Sequence, residues 1–203
     1  MPESAPAWSA ITVPTLPRVL VAADGRELRD LPPEVSGAVF LRDLDLPTLV
    51  AVARSARPPL GLEIESVDGL NPDAAAVRFV VEELGIRVVL TRRTALAQRV
   101  MEAGGLALIH IFAFDSTGLS RSLDTHPGAP GAGTVISPGP VLAHLTDTDL
   151  ARLPRPVVAY GLIGSAALAL TILRRADSVL VRFDCATELA AAELEAAEPR
   201  PAG

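Results

Sequence analysis

The sequence predicts an α/β fold, a small TIM-like (β/α)8 barrel with eight strands or seven, and three observations carry that prediction. Short apolar runs recur along the 203 residues with room for a helix between them. Helix-capping signals stand in most of the intervals. Polar residues recur where the runs end, at Glu65, Thr91-Arg92, Asp115-Ser116, Ser137, Tyr160 and Arg182. Strands joined through helices run parallel. A ring of polar strand ends is what the mouth of a closed barrel requires. An open doubly wound sheet is the alternative, since it shares the alternation of strand and helix.

The strand-like runs are Arg18–Ala22, Ala38–Leu41, Gly61–Ile64, Arg87–Leu90, Ala107–Phe112, Thr134–Ile136, Pro156–Tyr160 and Ser178–Val181. Asp45 caps one helix, with Pro47 in its first turn and Leu49, Val52, Ala53 and Ala56 inward. Asn71, the chain's only asparagine, is expected to cap the next, with Pro72 at its first position and Asp73 at its positive end. Val77, Val80, Val81 and Leu84 fall at helical spacing and Gly85 stops that helix. Arg93 or Thr94 opens a third, closed by Gly104-Gly105. Ser165 opens a fourth that runs to Arg174 and is apolar nearly all round, which implies burial of its outer face in a homo-oligomer. Asp124–Gly133 reads as a Gly/Pro-rich loop. The domain reading is an N-terminal extension at 1–15, one barrel domain at 16–185 and an acidic helix or tail at 186–203.

Composition narrows the function classes. All 18 basic residues are arginine, and the net charge is −6, so bulk electrostatic attraction to nucleic acid is not expected. Only seven aromatic residues are present, so Val, Leu, Ile and Ala must fill the core. The lone Cys185 excludes an intrachain disulfide and, with no apolar run of membrane-spanning length, points to the cytoplasm and away from a membrane. No phosphate loop, nucleophile elbow or dinucleotide fingerprint is present.

Leu62–Asp73 is the richest stretch. Alternation along a strand would put Glu63 and Glu65 on one face. Two acids there suit a general acid/base pair, or a metal site completed by Asp68, Asp73 and Asp115, or an ion pair between Glu63 and Arg87 or Arg92 with Glu65 lining the mouth. His110, in an apolar strand, reads as a satisfied barrel-lining residue; His126 and His144 lack ligand spacing. Gly161 and Gly164 flank the turn after the seventh strand, where barrels often hold phosphate, though two glycines are also ordinary turn chemistry.

Taken in order, Leu62–Asp73, Val88–Arg92, Ile109–Ser116, Ser137-Pro138-Gly139 and Tyr160–Ile163 resemble the glycerol-3-phosphate-responsive antiterminator family, over roughly residues 36–182. The family usually has Asp at Glu65, a basic residue within Ile109–Phe112, and a Thr/Ser run where this chain has Leu180-Val181-Arg182. The resemblance implies a small TIM-type barrel acting in the cytosol as a regulator. Its implied partners are glycerol 3-phosphate as effector and the leader messenger RNA of a glycerol-utilisation operon, with no catalytic residue, metal or cofactor. The ligand residues it implies are Glu65, Thr91, Arg92, Ser137, Gly139, Gly161, Gly164, Ser165 and Arg182. For RNA, Arg92, Arg93 and Arg99 make one candidate patch, and Arg152, Arg155, Arg174 and Arg175 another. Two rival readings are a barrel enzyme on a small phosphorylated metabolite, with Glu65 as base, and a ligand-binding barrel without RNA contact.

Overall fold

The computed structural model describes residues 16–29, 39–55, 61–113, 115–125 and 130–197. Its strands in chain order are β1 (Val19–Ala23), β2 (Val39–Leu41), β3 (Leu44–Asp45), β4 (Gly61–Glu63), β5 (Val67–Asp68), β6 (Val88–Thr91), β7 (Leu106–Phe112), β8 (Gly133–Ser137), β9 (Val157–Tyr160) and β10 (Ser178–Val181). Eight of them close a parallel barrel in the order β1-β2-β4-β6-β7-β8-β9-β10, with β10 pairing back to β1. Closure excludes the open doubly wound sheet. β3 and β5 form a separate two-stranded sheet beside the mouth, Leu44 opposite Val67 and Asp45 opposite Asp68.

The helices are α1 (Leu46–Ala53), α2 (Ala74–Arg78), α3 (Thr94–Glu102), α4 (Ser116–Thr125), α5 (Asp147–Ala151), α6 (Ala166–Ile172) and α7 (Phe183–Ala197). Asp45 caps α1 through the Thr48 N–H, as the sequence predicts. The α2 cap differs from expectation. Asp73, not Asn71, accepts from Ala75 N and Ala76 N, while Asn71 donates to the other Asp73 oxygen, so Pro72 precedes the helix. A carboxylate is the better acceptor at the positive helix end, and Asn71 serves by orienting it. α2 continues as a single π turn, Phe79–Glu83. α4 and α5 were not anticipated; α4 starts inside the segment Asp115 caps through Gly118 N, and α5 is capped by Thr146.

The 185/186 boundary falls inside α7, whose Cys185, Ala186 and Leu189 are buried against α6 and the sheet. Residues 186–197 are thus helical, one of the two forms the sequence reading allows, and the first turns of that helix belong to the last βα unit. The 1–15 extension, Ala56 and His126 lie outside the described residues.

Alternation sorts the strand residues into layers. Val21, Leu41, Leu62, Val89, Ala107, Ile136 and Ala159 face the helices. Leu20, Ala22, Phe40, Val88, Leu90, Leu106, Leu108, Val135, Val158 and Leu180 fill the barrel interior. Phe40 is the one large aromatic among these buried interior residues, and it fits because Gly61 on the neighbouring strand has no side chain. A Cβ at Gly61 would overlap the Phe40 ring.

Overpacking at that position supplies a test. Gly61→Ala is expected to destabilise the fold by about 1–3 kcal/mol, and Phe40→Leu added to it should recover part of that loss. Urea unfolding of the wild type and the single and double variants measures both effects.

Candidate functional site at the barrel mouth

The same alternation that fills the interior carries polar side chains to its upper rim. Glu63 follows Gly61, His110 follows Leu108, Ser137 follows Val135 and Tyr160 follows Val158, each two residues on. Arg42, Arg92 and Arg182 extend the inward series of β2, β6 and β10 by one further step. Parallel strands end at one side of the barrel, so these residues share one mouth.

His110 is the most buried of them, 8 % exposed, beneath Phe112 at 4.1 Å between ring centroids and 5.7 Å from Tyr160. Its Nε2 lies 2.8 Å from Ser137 Oγ, and its Nδ1 is buried without a partner. Burial, helped by the Arg92 charge, lowers its pKa to about 4, so the imidazole is neutral near pH 7. A Ser–His contact resembles a nucleophile and its base, but so weak a base with no carboxylate behind it is poorly suited to activate a hydroxyl. With no lysine in the chain, imine chemistry through a lysine amine is also closed.

Glu63 is half-buried at the end of β4. Burial pushes its carboxyl pKa up, Asp43 and Glu65 reinforce that, and Arg92 and Arg42 oppose it. Among the described residues no ion pair reaches it: Arg92 acts on it without contact, and Arg87 precedes β6 at the opposite end of the barrel.

Glu65 does not share a strand face with Glu63, because the chain leaves β4 and turns through a 3-10 helix, Ile64–Ser66. One Glu65 oxygen accepts from Thr91 Oγ1 at 2.5 Å and from Arg92 N at 3.2 Å; the other is buried and unpartnered. Thr91, fully buried, points to the helix side and also accepts from Arg93 N. Both residues thus brace the β4 and β6 loops. Ser66 Oγ extends the brace, donating to Glu63 O and accepting from Asp43 N.

Opposite the brace, a cleft of about 510 Å³ opens between the ends of β1, β2, β9 and β10, lined by Arg42, Tyr160, Gly161–Gly164 and Arg182. Gly161 (φ +75°) and Leu162 (φ +56°) are both left-handed, and Leu162 is 79 % exposed. Among the described residues the ion-pair partners of Arg42 and Arg182 are exposed neighbouring aspartates, Asp43 at 3.1 Å and Asp184 at 3.7 Å. Arg42 Nε is buried without a partner. Sequence reasoning missed Arg42; its signal was the parity of Phe40 carried one step past the strand. Gly164 is exposed in the cleft. Gly139 is not free to hold a ligand through its N–H, which donates to Gly161 O at 3.0 Å. Ser165 caps α6 through Leu168 N, and α6 spans only seven residues rather than extending to Arg174, so its dipole is short.

The arginine patches also sort themselves. Arg93 donates to Pro72 O and Arg99 pairs with Glu102, both at 2.7 Å and both on exposed surface. In the second patch Arg152 pairs with Asp124, Arg155 with Asp177 and Arg175 with Asp147, so three of its four cations are balanced locally. Glu63, Glu65, Asp68, Asp73 and Asp115 do not converge: among the described residues no group of three His, Cys, Asp or Glu side chains could hold a metal. Nor is any described helix long and apolar enough to cross a membrane.

Residues 27–180 match the family model described as glycerol-3-phosphate responsive antiterminator. Among solved structures the chain is similar to the glycerol uptake operon antiterminator regulatory protein of Listeria monocytogenes str. 4b F2365, with 18 % identity, TM-score 0.71, and 80 % of this chain and 90 % of that one covered. It is also similar to a glycerol uptake operon antiterminator-related protein of Thermotoga maritima MSB8, at 22 % identity, TM-score 0.65 and coverage of 80 % and 92 %. A deoxyribose phosphate aldolase from Aeropyrum pernix shares the fold at 18 % identity and TM-score 0.62, covering 87 % and 89 %. No curated protein matches the sequence.

His110 carries a pH prediction. Its folded pKa lies below the unfolded value, so between pH 6.5 and 4 the unfolded chain takes up a proton that the folded chain refuses. Stability from this group is complete above pH 6.5 and falls by up to about 3 kcal/mol as pH drops to 4. Chemical unfolding of wild type and His110→Gln at pH 7.5, 6 and 4.5 isolates it: the gap in pH dependence between the two is the expected signal. A histidine NMR titration should show no transition for His110 near 6.5.

Proposed function

Because the chain belongs to the glycerol-3-phosphate responsive antiterminator family, we propose that it is a cytoplasmic regulator that binds glycerol 3-phosphate in the barrel mouth and the leader RNA of a glycerol-utilisation operon. The observation that carries the ligand half is the cleft. Two arginines, Arg42 and Arg182, face the backbone turn Gly161–Gly164 there, and the ion pairs they make among the described residues are with exposed neighbouring aspartates. Such exposed pairs are worth little and yield readily to a phosphate dianion. The left-handed Gly161 lets the backbone approach an anion where a Cβ would intrude. Tyr160 completes the polar wall of the cleft, Arg92 and Ser137 stand at the same mouth outside that lining, and Glu65 and Thr91 serve by holding the β4 and β6 loops in place.

Among the described residues no catalytic constellation competes with this reading: the imidazole is a poor base at neutral pH, and the sequence has no lysine. A regulator needs a ligand-dependent surface rather than turnover. Arg93, next to the mouth, and Arg99, in the last turn of α3 beside Glu102, are the RNA contacts of this reading, both on exposed surface, while Arg92 belongs to the mouth, where its charge acts on His110 and Glu63. Self-association is part of the reading, through the outer face of α6, where Ala167 and Leu170 are exposed.

Each half has its own expected outcome. Gly161→Val and Arg182→Ala should each weaken glycerol 3-phosphate binding by at least about tenfold in calorimetric titration, and the ligand should raise the wild-type melting temperature. Unchanged affinity in both variants removes the cleft as the site. For RNA, Arg93→Ala combined with Arg99→Ala should weaken binding to the leader RNA. It should also flatten the log–log salt dependence by about 0.7–0.9 for each phosphate no longer neutralised, with ligand affinity intact. Wild type that binds no leader RNA at low salt, with and without the ligand, overturns that half.

A further inference from the structure

We propose that Glu63 is the specificity-determining residue of the mouth: its carboxylate accepts the hydroxyl hydrogens of a vicinal diol, so the site takes a polyol phosphate and rejects the ketone phosphate of the same skeleton. The inference rests on the phosphate-ester reading of the cleft given above.

Position comes first. Gly61 faces the Phe40 ring inside the barrel, and Glu63, two residues on in the same strand, faces the same interior at its upper edge. The carboxylate therefore rises from the layer of Phe40 and Leu90, half-withdrawn from water, and stands beside the cleft rather than in its wall, near enough to act on Arg42 and Tyr160, which do line it. Among the described residues it receives no hydrogen bond and no ion pair, although Arg92 and Arg42 are close enough to act on it. A carboxylate has up to four acceptor sites, and here no described protein group fills any of them, which leaves them to solvent or to a bound molecule.

The mouth holds unmet groups of the other kinds as well. His110 Nδ1 is buried without a partner, and so is Arg42 Nε. Acceptor and donor capacity is thus left open around one mouth. A bound molecule that satisfies this set must offer an anion to the arginines and neutral donors to Glu63. A cationic amine would serve Glu63 alone, but it would sit against Arg42 and Arg92 and be repelled. Hydroxyls carry no such penalty. The two oxygens of one carboxylate match the two hydrogens of adjacent hydroxyls. A ketone in place of one of them brings an acceptor against an acceptor, which loses a hydrogen bond and strands the carboxylate.

The experiment is calorimetric titration of wild type, Glu63→Gln and Glu63→Asp with glycerol 3-phosphate, dihydroxyacetone phosphate and inorganic phosphate. Wild type should bind glycerol 3-phosphate at least about tenfold more tightly than dihydroxyacetone phosphate. Glutamine has nearly the same shape but puts an N–H donor where a carbonyl can use it, so the preference should shrink to within about threefold. Losing a negative charge strengthens all anions alike, which is why the ratio, and not any single affinity, is the readout. Glu63→Asp keeps the acceptor and should keep the sign of the preference, whether or not Glu63→Gln is stable enough to titrate. A wild type with no preference, or a ratio unchanged in Glu63→Gln, overturns the role of Glu63 and leaves the phosphate site standing. A wild type that binds none of the three probes overturns both.

Discussion

A barrel this lean has to close its own interior before its rim can hold charge, and the contact that does so is Phe40 lying across the vacant side-chain position of Gly61. With so few aromatic residues, no other buried interior side chain among the described residues has comparable breadth. The floor it makes with Leu90, Leu108, Val135 and Leu180 is buried and wholly apolar. Glu63, His110, Ser137 and Tyr160, one step above that layer, are consequently only partly hydrated. Burial then drives the His110 imidazole neutral, raises the Glu63 carboxyl and raises the Tyr160 phenol, all three through the same cause. The electrostatics of the mouth are thus a consequence of core packing.

The two sides of that mouth are built differently. On the β2–β4–β6 side, side chains and the β3–β5 sheet tie neighbouring loops together, through Glu65 to Thr91 and Arg92, Ser66 to Asp43, and Arg93 to Pro72. On the β8–β9 side the chain turns on Gly139, Gly161 and Gly164, with a backbone bond from Gly139 to Gly161 between the loops. A fixed wall facing a backbone-lined turn suits a small anion, since main-chain groups can come close only where side chains are missing.

The strands were legible because each is a short apolar run between turn signals, and all eight lie within a residue or two of where the pattern puts them. α4 and α5 were not, since Ser116–Thr125 is largely polar and Asp147–Ala151 is barely more than one turn, too short to show a period. At the rim, strand parity holds for Glu63, His110 and Ser137, which the sequence marks as one of two paired acids, a barrel-lining residue and a polar strand end. It failed at Glu65, because nothing in the sequence reveals that the backbone leaves the extended conformation at Ile64 and turns the next carboxylate away. Arg42 escaped notice for the opposite reason: parity does reach it, but it lies outside the apolar run that marks the strand. Asn71 misled because it is a favoured cap residue two positions before a better one.

Every basic side chain in this protein other than its three histidines is a guanidinium. That charge persists at any pH at which the fold is studied, so titration of the mouth belongs to the acids, the imidazole and the ligand's own phosphate. The same fact has a practical side. Acylating reagents that seek side-chain amines find none along these 203 residues, so a dye or surface linker of that class leaves the rim chemically untouched. Affinity measured on such a conjugate reports the unmodified mouth.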